Sequence, residues 1–201
     1  MLFHPAKLLL MAAALGTLLC TVASLDIVAF SQNSCQGNSA VCPGPRQRQC
    51  CQMPGSTRAQ SARLRGGGSQ DQLVVTRRRG GSDCGQIVAK GRGCISRGGR
   101  YDGAFWCRNC RIPDRAEGMA AAEAGVECTS TIEPSLLHIG DKWVAVNSTT
   151  PAVDKNKLFG LVDSDAGAEA IPKDLLKYVT APPDLGAEED MAEEDDQNDY
   201  D

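Results

Sequence analysis

The chain has 201 residues, 42% hydrophobic but only 4% aromatic, with a formal net charge of −4. That length holds one domain with appendages rather than a string of large ones. Of its two histidines only His138 lies beyond residue 24, and no Gly-x-Ser-x-Gly elbow is present, so neither a Ser/His/Asp arrangement nor a zinc centre finds its residues, and no catalytic residue, metal or cofactor is assigned.

Residues 1–24 read as a removable signal peptide. Lys7 precedes an apolar run over residues 8–20, and the small residues Ala23 and Ser24 close the segment, the order a signal peptidase reads. The run is thirteen residues long, short of the roughly twenty that cross a bilayer, and Asp26 interrupts its extension. Nine cysteines follow, all between Cys35 and Cys128. Disulfides persist in oxidising compartments, so the expectation is a secreted, extracellular protein built on bridges.

Residues 25–55 carry the first cysteine group, Cys35, Cys42, Cys50 and Cys51, among turn-forming glycines and prolines. A bond between the neighbours Cys50 and Cys51 needs a strained ring, so each should reach a different partner and the pair should act as a junction. Residues 56–83 lack cysteine and contain Gly66-Gly67-Gly68-Ser69 with many arginines, which reads as a disordered basic linker. Leu73-Val74-Val75 is its one apolar cluster. Arg77-Arg78-Arg79 is a candidate kexin-type processing site, against the plainer reading of a solvated basic face.

Residues 84–180 hold the second group, Cys84, Cys94, Cys107, Cys110 and Cys128, then C-terminal strands and a helix. Ile87-Val88-Ala89, Cys94-Ile95-Ser96 and Ala104-Phe105-Trp106, set among glycines, predict a small antiparallel meander. The alanine-rich stretch 114–127 after Pro113 predicts a helix. Residues 143–146 and 158–162 predict strands, and 173–179 a short helix. Residues 181–201 read as a disordered acidic tail. The expected fold class is a small disulfide-rich α+β protein, mainly short antiparallel strands with one or two short helices, plus the linker and tail.

Core material is scarce. Between Cys35 and Cys128 only eleven of 94 residues are Leu, Ile, Val or Phe, below the level of about 20% at which a chain buries a core unaided. Bridges at about 2–4 kcal/mol each compensate. Nine cysteines allow four bridges and one odd sulfur; connectivity and the unpaired residue are left open, and a disulfide-linked dimer through the odd cysteine is one outcome.

The small net charge conceals an asymmetry. Residues 43–115 contain fifteen Lys and Arg against four Asp, a balance of +11, whereas residues 116–201 contain five Lys against twenty acids, a balance of −15. Such blocks suit a basic surface for an anionic partner and a solvated acidic tail. The partners expected are an anionic glycan, another cell-surface component or anionic lipid; no nucleic acid is expected. Tyr101, Phe105 and Trp106 gather three of the nine aromatic side chains into six residues, with Arg97, Arg100, Arg108 and Arg111 around them. Aromatic faces beside cations bind sugars and anionic surfaces, making Arg97, Arg100, Tyr101, Phe105, Trp106 and Arg108 the candidate binding residues. An aromatic beside a disulfide is also ordinary core material.

Three smaller motifs remain. Trp106-Cys107-Arg108-Asn109-Cys110 has the spacing of a thiol-disulfide oxidoreductase, but that chemistry needs its first cysteine at a helix start after a buried parallel strand, and no βαβ pattern surrounds it. Asp163-x-Asp165 lacks the later ligands of a calcium loop and reads as a surface turn. Asn147-Ser148-Thr149 is an N-glycosylation sequon on an expected turn.

The stretch Asn33-Ser34-Cys35-Gln36-Gly37-Asn38-Ser39-Ala40-Val41-Cys42, with Asp83-Cys84-Gly85-Gln86-Ile87-Val88, resembles small secreted cysteine-rich fungal proteins of the killer-toxin and necrosis-inducing effector kind. The vicinal cysteines, arginine-rich segment and acidic tail depart from that pattern. The resemblance implies a host- or competitor-directed protein without catalytic residues. The reading of the whole sequence is a secreted, non-enzymatic protein of effector or toxin class that acts by binding, with a glycan-binding lectin-like module and a thiol oxidoreductase using Cys107 and Cys110 as alternatives.

Overall fold

A computed structural model describes residues 25–55, 57–97, 99–113 and 116–183. The expected signal peptide at 1–24, and all of the expected tail beyond residue 183, lie outside the described residues. The protein is small, disulfide-rich and strand-dominated, 39% strand against 16% helix; the helical share of the α+β expectation reduces to one α-helix and three 3₁₀ turns among the described residues.

Two sheets form the fold. The first orders its strands β12 (Val179–Thr180), β11 (Lys142–Ala145), β10 (Leu136–Ile139), β2 (Ser39–Pro43), β1 (Asp26–Phe30), β4 (Ser61–Arg65) and β7 (Cys94–Ile95). The second orders β6 (Ser82–Gly91), β5 (Asp71–Arg79), β8 (Gly103–Arg108), β3 (Gln49–Gln52) and β9 (Ser130–Ile132). All pairings are antiparallel except β3 with β9. Both sheets draw strands from either side of the arginine-rich segment.

Strand alternation sorts the apolar residues. Along β1, Ile27 and Ala29 join the main core with Leu73 and Val75 of β5, while Val28 and Phe30 point to a smaller cluster with Val41. Along β5, Val74 turns the other way and meets Ile87, Phe105 and Cys107, a face covered by Ile112, Ala116, Ala121 and Val126. The second sheet is thus buried on both faces. The expected linker over 56–83 is therefore corrected: it supplies β4 and β5, and β5 pairs on both sides, with β6 and β8. Leu73-Val74-Val75 is a doubly buried strand centre, because a short apolar run fits a strand covered on both faces. Gly66-Gly67-Gly68-Ser69 shrinks to the β4–β5 connection.

The meander pieces are strands as expected, although β7 leaves β6 to edge the first sheet. The expected helix over 114–127 is absent among its described residues, which form turns with Gly118 and Gly125 at φ of 85° and 68°; two left-handed glycines divide the alanine run, and Ala121 and Val126 roof the second sheet instead. The strand expected over 158–162 belongs to α1 (Ala152–Asp163), where Leu158, Phe159 and Val162 are buried at helical spacing. Residues 173–178 form a 3₁₀ turn. No described helix is long and apolar enough to cross a membrane.

Four bridges join Cys35 to Cys94, Cys42 to Cys51, Cys50 to Cys84 and Cys107 to Cys110, leaving Cys128 as a thiol. The junction expected at the vicinal pair follows from pleating: Cys51 faces the main core and Cys50 the outer face of the second sheet, so one bridge staples the two sheets and the other ties β3 to β6. The Cys50–Cys84 bridge passes over Gly103 of β8, where an added Cβ would lie 2.9 Å from Cys84 Sγ and 3.2 Å from Cys50 Sγ. A second tie joins the C-terminal part to the first hairpin. The Asp165 carboxylate, beyond α1, accepts the Ser31 hydroxyl at 2.7 Å, the Asn38 amide N–H at 2.6 Å and the Gln32 side-chain amide. The turn expected at Asp165 follows α1, and its carboxylate forms this latch.

Candidate functional site

The six candidate binding residues separate by chemistry. Phe105 is 0% and Tyr101 1% exposed, both facing inward from strand positions. The Tyr101 hydroxyl donates to the Arg97 carbonyl, and burial pushes its pKa up to about 12. Trp106 is half-buried and spends its indole N–H on the Pro45 carbonyl at 2.7 Å. The aromatic half of the expected sugar-stacking site is therefore corrected for Tyr101 and Phe105: with core residues so few, these rings were recruited inward.

Arg108 is tied down as well. Its guanidinium donates to both Asp71 oxygens at 2.8 and 3.0 Å, and this fork holds the Asp71 carboxyl below the usual carboxylate range. Asp71 is buried and also accepts the Gly68 amide at 2.8 Å. The pair fixes the entry to β5 and is not part of a free basic surface.

Arg97 and Arg100 remain exposed, and the fold brings them companions that the sequence reading missed. A single bridge pairs Ala59 with Tyr101, which sets Arg58 beside Asp102. Arg58 contacts the Asp102 carboxylate at 3.0 Å, and the other Asp102 oxygen accepts the Arg78 backbone N–H at 2.8 Å. Arg77 in turn donates its Nε–H to the Arg100 carbonyl at 3.0 Å. Arg58, whose guanidinium meets Asp102, and Arg77, which reaches the Arg100 carbonyl, thus come to the same exposed segment of chain that bears Arg97 and Arg100. The arginine run was legible as charge; its place at the end of a paired strand, beside residues some twenty positions away, was not.

The Arg77-Arg78-Arg79 run lies on β5 just before the Gly80-Gly81 turn, whose φ of 61° and 85° suits a tight hairpin. Arg79 still pairs with Ser82, so the candidate processing site is the exposed end of a hairpin rather than a loose loop. Asn147 sits in an exposed turn after β11, its side-chain oxygen accepting the Thr149 and Thr150 amides at 2.9 and 3.1 Å.

Cys107 is buried on β8, and Cys110 follows in the loop after it. The first cysteine of the Cys-x-x-Cys pair lies on a strand and not at the start of a helix. His138, on β10, lies 4.7 Å from the Trp143 ring; burial lowers its pKa, against the opposing pull of Asp141. The interior cavity between the sheets, lined by Ile27, Met53, Ala59 and Tyr101, measures about 10 Å³, room for about one water at most. A larger open cleft of about 400 Å³ lies between Arg79, Cys84, Glu123, Glu127 and Cys128. There Cys50, Cys84 and Cys128 place their sulfurs within 4.8 Å of one another. Two of the three are bonded together, and a disulfide sulfur has no thiolate charge to give a metal, so as bridged the trio offers a single ligand.

Residues 26–135 match the family described as ARB_05566_N, N-terminal domain. No curated protein and no solved structure matches the chain.

Proposed function

We propose, for a chain that belongs to the ARB_05566_N family, a secreted, non-enzymatic protein of effector or toxin kind whose basic rim binds an anionic extracellular partner. The observation that carries this reading is the arrival of Arg58 and Arg77, by way of Asp102 and the Arg100 carbonyl, at the exposed segment that bears Arg97 and Arg100. Exposed arginines gathered on one stretch of a surface held by two sheets and bridges favour positive potential there, and such a surface draws sulfated or carboxylated glycans and anionic headgroups. Binding through a preformed rim needs no interior pocket. The resemblance to killer toxins and necrosis-inducing effectors supports a target on another organism's surface, and a glycan on Asn147 is part of the proposal.

The test is binding of the full chain to a sulfated polysaccharide and, separately, to vesicles containing anionic phospholipid. Affinity should fall steeply as salt rises from 0.1 to 1 M, where the Debye length shrinks from about 10 to about 3 Å. Replacing Arg58, Arg97 and Arg100 together by Gln should weaken binding by about tenfold, on the scale of about 0.5 kcal/mol per lost exposed ion pair. Binding that ignores both salt and the triple substitution would overturn the proposal.

A further inference from the structure

We propose that Cys50, Cys84 and Cys128 form a thiol–disulfide exchange site, in which the Cys128 sulfur displaces Cys84 from Cys50 and leaves Cys84 as the thiol facing the cleft. The proposal rests on placement. Cys128 is the one thiol among nine cysteines beyond residue 24, and it lies with the Cys50–Cys84 bridge in a single cluster of three sulfurs, all within 4.8 Å. The cluster borders the open cleft of about 400 Å³ that Cys84 and Cys128 both line. A thiol beside a disulfide is a reactant pair already brought together, so the step has the advantage of an intramolecular reaction.

The exchange needs no outside oxidant or reductant. Cys128 gives up its proton to cleft water, its sulfur bonds to Cys50 Sγ as the Cys50–Cys84 bond breaks, and the Cys84 thiolate takes a proton in return. One disulfide and one thiol exist before and after. Cys84 is the better leaving sulfur because it borders the cleft, where water can protonate the departing thiolate, whereas Cys50 has no exposed surface. Thr129 N–H donates to the Arg48 carbonyl and β9 runs parallel to β3 from there, so Cys128 enters the step from a segment already paired beside Cys50.

Among the described residues few charged groups face the site. Arg79 of β5 and Glu123 and Glu127 of the covering segment line the cleft. β3 has no charged residue, Arg108 of β8 is engaged by Asp71, and Lys90 of β6 is bonded to the Ile112 carbonyl. Burial raises the Cys128 pKa to about 12, so the reactive thiolate is scarce at neutral pH and grows about tenfold per pH unit up to that value.

The experiment follows the thiol. Full-length secreted protein, purified in acid to freeze exchange, is held at pH 7, 8 and 9 without any redox couple, quenched, alkylated and mapped by non-reducing digestion and mass spectrometry. The label should begin on Cys128 and move to Cys84 as Cys50–Cys128 peptides appear, about tenfold faster per pH unit. C84S should be secreted with a Cys50–Cys128 bridge and no thiol, and C128S should show no migration at any pH. A label that stays on Cys128 throughout, or a folded C84S carrying two thiols, would overturn the proposal. If C84S is not secreted, the migration in the unmodified chain decides by itself.

Discussion

Gly103→Ala is the smallest change that asks whether the Cys50–Cys84 bridge crosses β8 as described. The added methyl carbon would sit 2.9 Å from Cys84 Sγ, 3.2 Å from Cys50 Sγ and 3.3 Å from the Cys51 carbonyl oxygen. None of these neighbours is the free end of a flexible side chain: two are bonded to each other and the third is backbone. Overpacking of this kind costs about 1–3 kcal/mol if the bridge still closes. If it does not, the loop closed by a sequence separation of 34 is released, at a cost of about 4 kcal/mol from chain entropy. Gly160→Ala supplies the opposite case, since Gly160 is exposed within α1 and an added Cβ there meets nothing within 4 Å. That variant should gain about 0.5–1 kcal/mol. Urea unfolding of both variants, with a thiol count on each, reads the two signs directly. A Gly103→Ala protein within about 0.5 kcal/mol of the parent, with its bridges intact, would refute the crossing, since surface changes away from tight sites fall within that range.

Asp165→Ala should destabilise by about 2 kcal/mol, because the Ser31, Gln32 and Asn38 donors lose a charged acceptor. The Asn38 amide N–H, then the Ser31 hydroxyl, hold the Asp165 carboxyl below its usual range, so its contribution is present above an ordinary carboxylate pKa and is lost as pH falls through the lowered one; urea midpoints from pH 7 down to pH 2 should converge for the two proteins. Cutting after Arg79, by trypsin or a kexin-type protease, should leave two pieces joined through Cys35–Cys94 and Cys50–Cys84, seen as one band without reductant and two with it; two bands without reductant would contradict the bridge pattern. Arg63 and Arg65, on the paired strand β4, should resist trypsin longer than that hairpin end. Deleting residues 184–201, which carry ten acids, should strengthen binding to a sulfated glycan at low salt by removing a competing polyanion; equal affinities would leave the tail a solubility device.

Much of this molecule was already fixed by local chemistry. Vicinal cysteines cannot readily bond each other, and any strand through them must send the two sulfurs to opposite faces, so the junction at Cys50-Cys51 was legible without knowing its partners. Short apolar pieces between glycines marked β6, β7 and β8 for the same reason, since side-chain alternation and turn chemistry act within a few residues. Leu73-Val74-Val75 misled because composition around it suggested a linker, whereas neighbours on both sides in space, β6 and β8, make it the centre of a sheet. The alanine run misled in the other direction: helix propensity is worth only tenths of a kcal/mol per residue, and two left-handed glycines with a sheet face to cover outweighed it. The inward turn of Tyr101 and Phe105, the meeting of Arg58 with Asp102 and of Arg77 with Arg100, and the third sulfur at Cys50–Cys84 were decided by tertiary structure alone. Each depends on groups far apart in sequence coming within a few ångströms, and that proximity arises only when the two sheets close on their common core.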